Sequence, residues 1–138
     1  MHSTIIICAA IIAGLLIGLG LWMFLQTRRA KQLGQEQAST SDPTHPRTKA
    51  KRAHGNSAEY AGALIGLFVL TSFAYEGRDL RLTATALVIA VTVGRALHAA
   101  GCPVSKNVDD PHSFKPIGSL LTYGGGGALV VQTIAKVL

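Results

Sequence analysis

Arg52-Ala-His54-Gly-Asn56-Ser-Ala-Glu59-Tyr60 runs without a break into Ala61-Gly-Ala-Leu-Ile-Gly-Leu-Phe-Val-Leu70, and the junction between the two decides how the chain is read. The second stretch has the composition of a helix sinking into lipid. A carboxylate and a guanidinium at the mouth of such a helix are costly unless a polar partner or a ligand meets them. Each helical residue turns about 100°, so Arg52, Asn56 and Glu59 fall within roughly 60° of one another, with Tyr60 flanking the same face. A cation, an amide, a carboxylate and a phenol therefore share one stripe. That combination predicts a site for a small zwitterionic ligand.

Outward from this junction the chain is organised by hydropathy. Of its 138 residues, 49% are hydrophobic and only 14% charged, too apolar for an ordinary soluble domain of this size. Ile5 to Leu25 carries no charge over 21 residues. At about 1.5 Å per residue that crosses a hydrocarbon core of about 30 Å. Ala58 to Tyr75 is interrupted only by Glu59, Leu80 to Ala100 carries Arg81 at its edge and Arg95 and His98 towards its far end, and Pro116 to Ala135 is again uncharged. The reading is an all-α integral membrane protein. Its single domain has spans at about 4–27, 55–75, 80–101 and 116–136, with a polar connector over 28–51.

The first span reads as a retained anchor. Signal peptides carry positive charge before their apolar run, whereas here Met1-His-Ser-Thr precedes it and Arg28-Arg29-Ala-Lys31 follows. The net charge of +6 is not a nucleic-acid signature, because its distribution follows topology. Arg28, Arg29, Lys31, Arg47, Lys49, Lys51 and Arg52 lie between the first two spans, and Lys106 and Lys115 between the last two, against Arg78, Arg81 and Lys136 on the other side. The positive-inside rule then puts loops 28–51 and 102–115 in the cytoplasm and both termini outside, with anionic lipid attracted to the basic loops.

Cys8 and Cys102 are expected at opposite membrane faces, which forbids a disulfide. No Cys-x-x-Cys or Cys/His spacing argues for zinc. The segment Gly34 to Pro46 reads as a cytoplasmic connector mobile in its middle, and the turn Glu76-Gly77-Arg78-Asp79 makes the second and third helices antiparallel neighbours with Asp79 as a cap. Cys102-Pro103 opens the second cytoplasmic loop, and Pro116 suits the first turn of the last helix. Gly14/Gly18 and Gly62/Gly66 are small-xxx-small pairs, open to packing within the chain or between chains. Gly124 to Gly127 weakens the fourth span and suggests close packing or a kink. No Lys-Ser/Thr follows it, so it is not a phosphate loop.

The third span adds a second stripe, with Arg95 and Cys102 nearly in line and Thr92 and His98 beside them. Three helix ends thus bring arginines, histidines, a glutamate, an asparagine and a tyrosine to one membrane face. These residues resemble the MAPEG family, the membrane-associated proteins in eicosanoid and glutathione metabolism that include the microsomal glutathione transferases. The likeness is carried by Arg52-Ala-His54-Gly-Asn56-Ser-Ala-Glu59-Tyr60, close to the family's Arg-x-x-x-Asn-x-x-Glu-Tyr pattern. Gly94-Arg95-Ala-Leu-His98-Ala-Ala-Gly101 and Arg28-Arg29-Ala30 support it, the former looking like bacterial members.

The resemblance implies a four-transmembrane-helix bundle assembled as a homotrimer in the bacterial inner membrane, with glutathione as co-substrate between subunits and a lipophilic small molecule as the second substrate. Arg52, Asn56, Glu59 and Tyr60 match glutathione-binding positions, Arg28 looks like the first-helix arginine that reaches the tripeptide, and His54 occupies a variable ligand-contacting position. Arg95 matches an arginine whose expected job is structural, pairing with Glu59 or polar backbone. His98 and Cys102 stand where eicosanoid-processing members carry tyrosines. Lys115 is the nearest counterpart of their thiolate-stabilising arginine, and supplies the charge without the planar fork.

Each residue also has a plainer reading. Arg52 could be a positive-inside anchor, Tyr60 and Trp22 interfacial aromatics, His54 and His98 interfacial hydrogen-bonders, and Cys102 a packing residue. Arg29, Lys31 and Lys49 read as solvated. Three functions are carried forward. The first is glutathione conjugation to a hydrophobic electrophile, or peroxide reduction. The second is a MAPEG-like protein that binds without turnover, and the third a small transporter or proton-relay subunit using Glu59 and Arg95.

Overall fold

The computed structural model describes residues 2–76, 82–108 and 112–138. The predicted turn through Gly77 and Asp79, the Asp79 cap and the charges Arg78 and Arg81 lie outside them. Helix α1 spans His2–Gln32, the one-turn α2 Ala38–Ser41, α3 Pro46–Ala74, α4 Leu82–Val104 and α5 Phe114–Val137. All but α2 are long and apolar enough to cross a bilayer. The protein is a four-helix membrane bundle.

The helices overrun the apolar spans, and their ends have identifiable causes. The polar flanks Gln26–Gln32 and Arg47–Ser57 are rich in Ala, Lys, Arg and Gln, which tolerate helix well, so the termini lie where caps occur. Helix α1 stops at Gly34, whose φ of +64° is the left-handed conformation of a C-cap glycine. The Gln35 N–H donates to the Ala30 carbonyl at 2.9 Å and the Gly34 N–H to Lys31 at 3.1 Å, the paired bonds of a Schellman ending. Helix α3 starts with Pro46 at its first position and His45 as N-cap, its Nδ1 accepting from the Arg47 N–H at 3.1 Å. Arg52 therefore sits inside a helix, as its stripe with Asn56 and Glu59 requires. At the other loop, α4 continues through Pro103 to Val104, two residues past the predicted start of that loop.

The connector is structured over its described backbone. Besides α2 it holds an Asx turn, in which Asp42 Oδ1 accepts from the Thr44 N–H and hydroxyl, both at 2.7 Å. These two bonds to the ionised form hold the exposed Asp42 carboxyl below the usual carboxylate range. The Val108 N–H donates to the Pro43 carbonyl at 3.1 Å, and Lys49 Nζ donates to the Ser105 carbonyl at 2.6 Å. The two polar loops are thus stitched to each other. Lys49, read as solvated, instead caps a carbonyl just past the end of α4.

Each helix buries only a narrow stripe. Ile5, Cys8 and Ile12 of α1 meet Ala61, Leu64 and Phe68 of α3, Val88 and Val91 of α4, and Leu129 of α5. The outward apolar side chains, such as Ile17 and Leu120, are exposed, as expected of surfaces that face lipid or another chain. The closest pairing is α4 with α5. A methyl group at Gly118 would come to 2.5 Å from the Gly94 carbonyl, and one at Gly94 to 2.8 Å from the Gly118 carbonyl. The backbones touch there. By contrast, a methyl group added at Gly14, Gly18, Gly62 or Gly66 would meet nothing within 4 Å, so within the chain these are not packing glycines. Of the run 124–127 only Gly125 packs, against Val91, and α5 continues unbroken through it.

Candidate functional site

Two adjoining cavities open where α3, α4 and α5 reach the polar loops. The larger, about 360 Å³, is lined by Thr40, Thr48, Lys51, Arg52, Gly55, Asn56, Glu59 and Val108. The smaller, about 220 Å³, is lined by Arg52, Asn56, His98, Cys102, Val108 and Lys115. Arg52, Asn56 and Val108 belong to both. The stripe read from the sequence is therefore the shared wall of a divided cleft, with Glu59 at one end and Lys115 and His98 at the other.

Arg95 holds that wall in place. Only 4% exposed, it donates from Nη2 to Asn56 Oδ1 at 2.9 Å, and more weakly to the Asn56 carbonyl at 3.3 Å and Ser57 Oγ at 3.5 Å. Its guanidinium lies 4.8 Å from the centroid of the Tyr60 ring. Of the two expected partners, Glu59 and polar backbone, the structure selects the second and adds the Asn56 amide. Among the described residues Glu59 forms no bond with Arg95 and stays exposed. It lines the larger cavity.

Lys115 is carried in by packing. Its stem lies across Gly101, where a methyl group would come to 2.8 Å from Lys115 Cγ and 3.2 Å from its backbone nitrogen. The residue is only 9% exposed, and its ammonium has no protein partner among the described residues. Every fully enclosed polar side-chain atom among those residues does have a partner. The unpaired ammonium therefore opens to the cavity.

His98 is oriented by α5. Its Nδ1 lies 3.2 Å from the Lys115 carbonyl and 3.1 Å from Ser119 Oγ. A carbonyl can only accept, so Nδ1 carries the proton and, in the neutral ring, Nε2 is an acceptor. No partner within the described residues occupies Nε2.

Three predicted site residues point elsewhere within one chain. Arg28 is exposed, with its guanidinium 5.8 Å from the Phe24 ring centroid. His54 packs on α1, its ring 3.3 Å from where a Gly20 methyl would be, because it lies about 200° from Arg52 around α3. Tyr60 turns to Tyr123, with hydroxyls 2.6 Å apart and rings edge to face. Residues the motif reading passed over are Thr40, Thr48 and Lys51, Val108, Ser119 and Tyr123. Val108 comes from a loop with no motif, and the stitch to Pro43 helps hold it over the cleft. No group of three His, Cys, Asp or Glu side chains suited to a metal occurs among the described residues.

A bundle of four spanning helices with a cation-lined cleft at one end is an integral membrane protein. The MAPEG family model matches residues 5–135, nearly the whole chain, and the protein belongs to that family. Neither the curated proteins nor the solved structures yield a match.

Proposed function

We propose that the protein is a membrane-embedded glutathione transferase, joining the glutathione thiolate to a hydrophobic electrophile delivered through the bilayer. The observation that carries the reading is the divided cleft, in which Arg52 and Asn56 are common to a carboxylate-bearing end and an end where the ammonium of the buried residue Lys115 opens to the cavity. Glutathione presents two carboxylates, one ammonium and one thiol. Arg52 and Lys51 suit the carboxylates, the first bidentately. Glu59 suits the ammonium, and Asn56 serves either polarity. The cavities fall near the range of small-molecule sites, about 300–1,000 Å³.

The thiol belongs at the Lys115 end. A fixed positive charge beside sulfur favours the thiolate, and the acceptor His98 Nε2 is suited to take the proton. A lipid-lined setting keeps water from the reacting pair.

A homotrimer is supported by the exposed Gly62 and Gly66 on α3 and by Glu59, Arg28 and Tyr123, polar groups on surfaces that a lone chain would leave to lipid. In such an assembly Arg28 and His54 would serve a neighbour's cleft or none. The basic loops support a cytoplasmic cleft with both termini outside, in a bacterial inner membrane. The test is purified protein in detergent with a chromogenic aryl halide. Glutathione-dependent conjugation should fall by at least an order of magnitude in Glu59→Gln and in Arg52→Ala, each removing a charge-assisted bond of about 1.5–3 kcal/mol. Conjugation indifferent to both substitutions would overturn the reading.

One observation favours a second reading, ligand binding without turnover: lysine replaces the family's forked arginine at the thiol end. Saturable glutathione binding with no conjugation or peroxide reduction would decide for it. The ion-path reading has less support. Among the described residues, side-chain hydrogen bonds between helices in the other half of the bundle include the neutral pairs Thr71 with Thr133 at 2.9 Å and Gln132 with Thr83 at 2.7 Å, and the cation there, Lys136, lies 5.5 Å from the Tyr75 ring centroid near the end of the bundle.

A further inference from the structure

We propose that Cys102 is a modification site within the smaller cavity, where it exchanges with glutathione disulfide and closes the cleft as a mixed disulfide. The proposal rests on the glutathione reading above. Cys102 is a free thiol, 3% exposed, and it lines the 220 Å³ cavity together with Arg52, Asn56, His98, Val108 and Lys115. A buried cysteine alone would be packing. Here a second observation marks a ligand position beside it: Lys115, a residue nine-tenths buried, lines the same cavity and opens its ammonium to it with no counter-charge among the described residues. A cation opening into a cavity with no counter-charge beside it favours an anion at that position. The Lys115 stem crosses Gly101, the residue next to Cys102, which keeps the two groups together.

The other cysteine is the internal contrast. Cys8 is equally free, but it is buried in the apolar core among residues such as Ile5 and Ile12, and it lines neither cavity of the cleft.

The chemistry balances without an added oxidant beyond the named co-reactant. The Cys102 sulfur, as thiolate, attacks one sulfur of glutathione disulfide. That disulfide bond breaks, a bond between Cys102 Sγ and a glutathionyl sulfur forms, and the electron pair leaves on the second glutathione sulfur. The leaving thiolate takes up the proton that Cys102 released. Cys102 is oxidised and one half of the disulfide is reduced. Lys115 and Arg52 stabilise the departing thiolate, and exchange is faster when the leaving thiol is stabilised as an anion. The tethered tripeptide then occupies the space in which the free thiol would react, so an oxidised thiol pool shuts the cleft and a reduced one reopens it.

The experiment uses the full chain in detergent, incubated with glutathione disulfide and followed by intact mass and peptide mapping. The expected result is one glutathionyl adduct, at Cys102, removed by dithiothreitol, present in Cys8→Ser and absent in Cys102→Ser. Saturating S-methylglutathione, which fills the cleft but cannot exchange, should slow adduct formation roughly tenfold or more. This competition is done on the unmodified protein, so it decides even if Cys102→Ser fails to fold. No adduct at Cys102, equal labelling of both cysteines, or a rate indifferent to S-methylglutathione would overturn the proposal. Saturable S-methylglutathione binding with no adduct removes the switch and leaves the transferase reading intact. Absence of any saturable binding removes both.

Discussion

Arg95 and Lys115 are both buried residues, and they differ because one charge is bonded within the protein and the other opens to the cleft. Arg95 is bonded to Asn56 and Ser57 and stacked on Tyr60, so its task is to hold the Asn56 amide in the cleft wall. Arg95→Ala should lower stability by about 1–3 kcal/mol, the range for leaving a buried polar partner unmatched. It should also weaken glutathione binding, although Arg95 itself lines neither cavity; thermal unfolding and equilibrium binding in detergent measure the two effects. Lys115 opens to the cavity instead. In the proposed function its charge favours the thiolate over the thiol, so Lys115→Ala should raise the pKa of bound glutathione towards its free value. Near neutral pH, turnover should then fall by on the order of a hundredfold, with the rising limb of the pH–rate profile moved to higher pH. Lys115→Arg should keep the original profile. Thiolate absorbance against pH checks both variants, and an unchanged bound-thiol pKa in Lys115→Ala would take the residue out of the mechanism.

Among the helices, α4 and α5 form the unit on which the thiol end depends. Their backbones meet at Gly94 and Gly118, and Gly101 admits the Lys115 stem a little further along. A methyl group at Gly118 has no space to enter, and the atoms opposite are backbone, which cannot swing aside. Gly118→Ala should therefore destabilise the bundle by about 1–3 kcal/mol, as overpacking does. Gly124→Ala is the contrast on the same helix. A methyl group there would meet nothing within 4 Å, so the gain in helix propensity, up to about 1 kcal/mol, should make it neutral or stabilising. Thermal midpoints of the two variants in one detergent distinguish the cases, and equal destabilisation would show that the helices cross less tightly than the Gly94–Gly118 contact requires.

The whole molecule leaves a large apolar surface interrupted by small and polar residues, and this sets the expectations for assembly. Gly62 and Gly66 face outward on the helix that bears Glu59, with space for another backbone. Gly62→Leu should break the proposed trimer into smaller species while leaving the four-helix subunit folded, as read by mass in detergent and by circular dichroism. Complementation probes the proposed sharing of a site between subunits. If Arg28 serves a neighbour's cleft, co-expressed Arg28→Ala and Glu59→Ala chains should recover conjugation activity that neither variant has alone. No recovery would confine the site to one chain.

Four spanning helices and the Arg52–Asn56–Glu59 stripe could be read without coordinates, because both are local. Apolar length is a property of a contiguous segment, and the angular phase of residues on one helix follows from about 100° per residue. The same arithmetic contained a warning about His54, which lies half a turn away from Arg52 and packs on Gly20. What crosses between helices was not readable in this way. The choice of Asn56 over Glu59 as partner to Arg95, the burial of Lys115 on Gly101, the arrival of Val108 over the cleft and the meeting of Gly94 with Gly118 all depend on how helices distant in sequence are rotated and slid against each other. A single chain of letters carries periodicity along each helix. It does not carry the relative rotation of two helices, which packing of their surfaces decides.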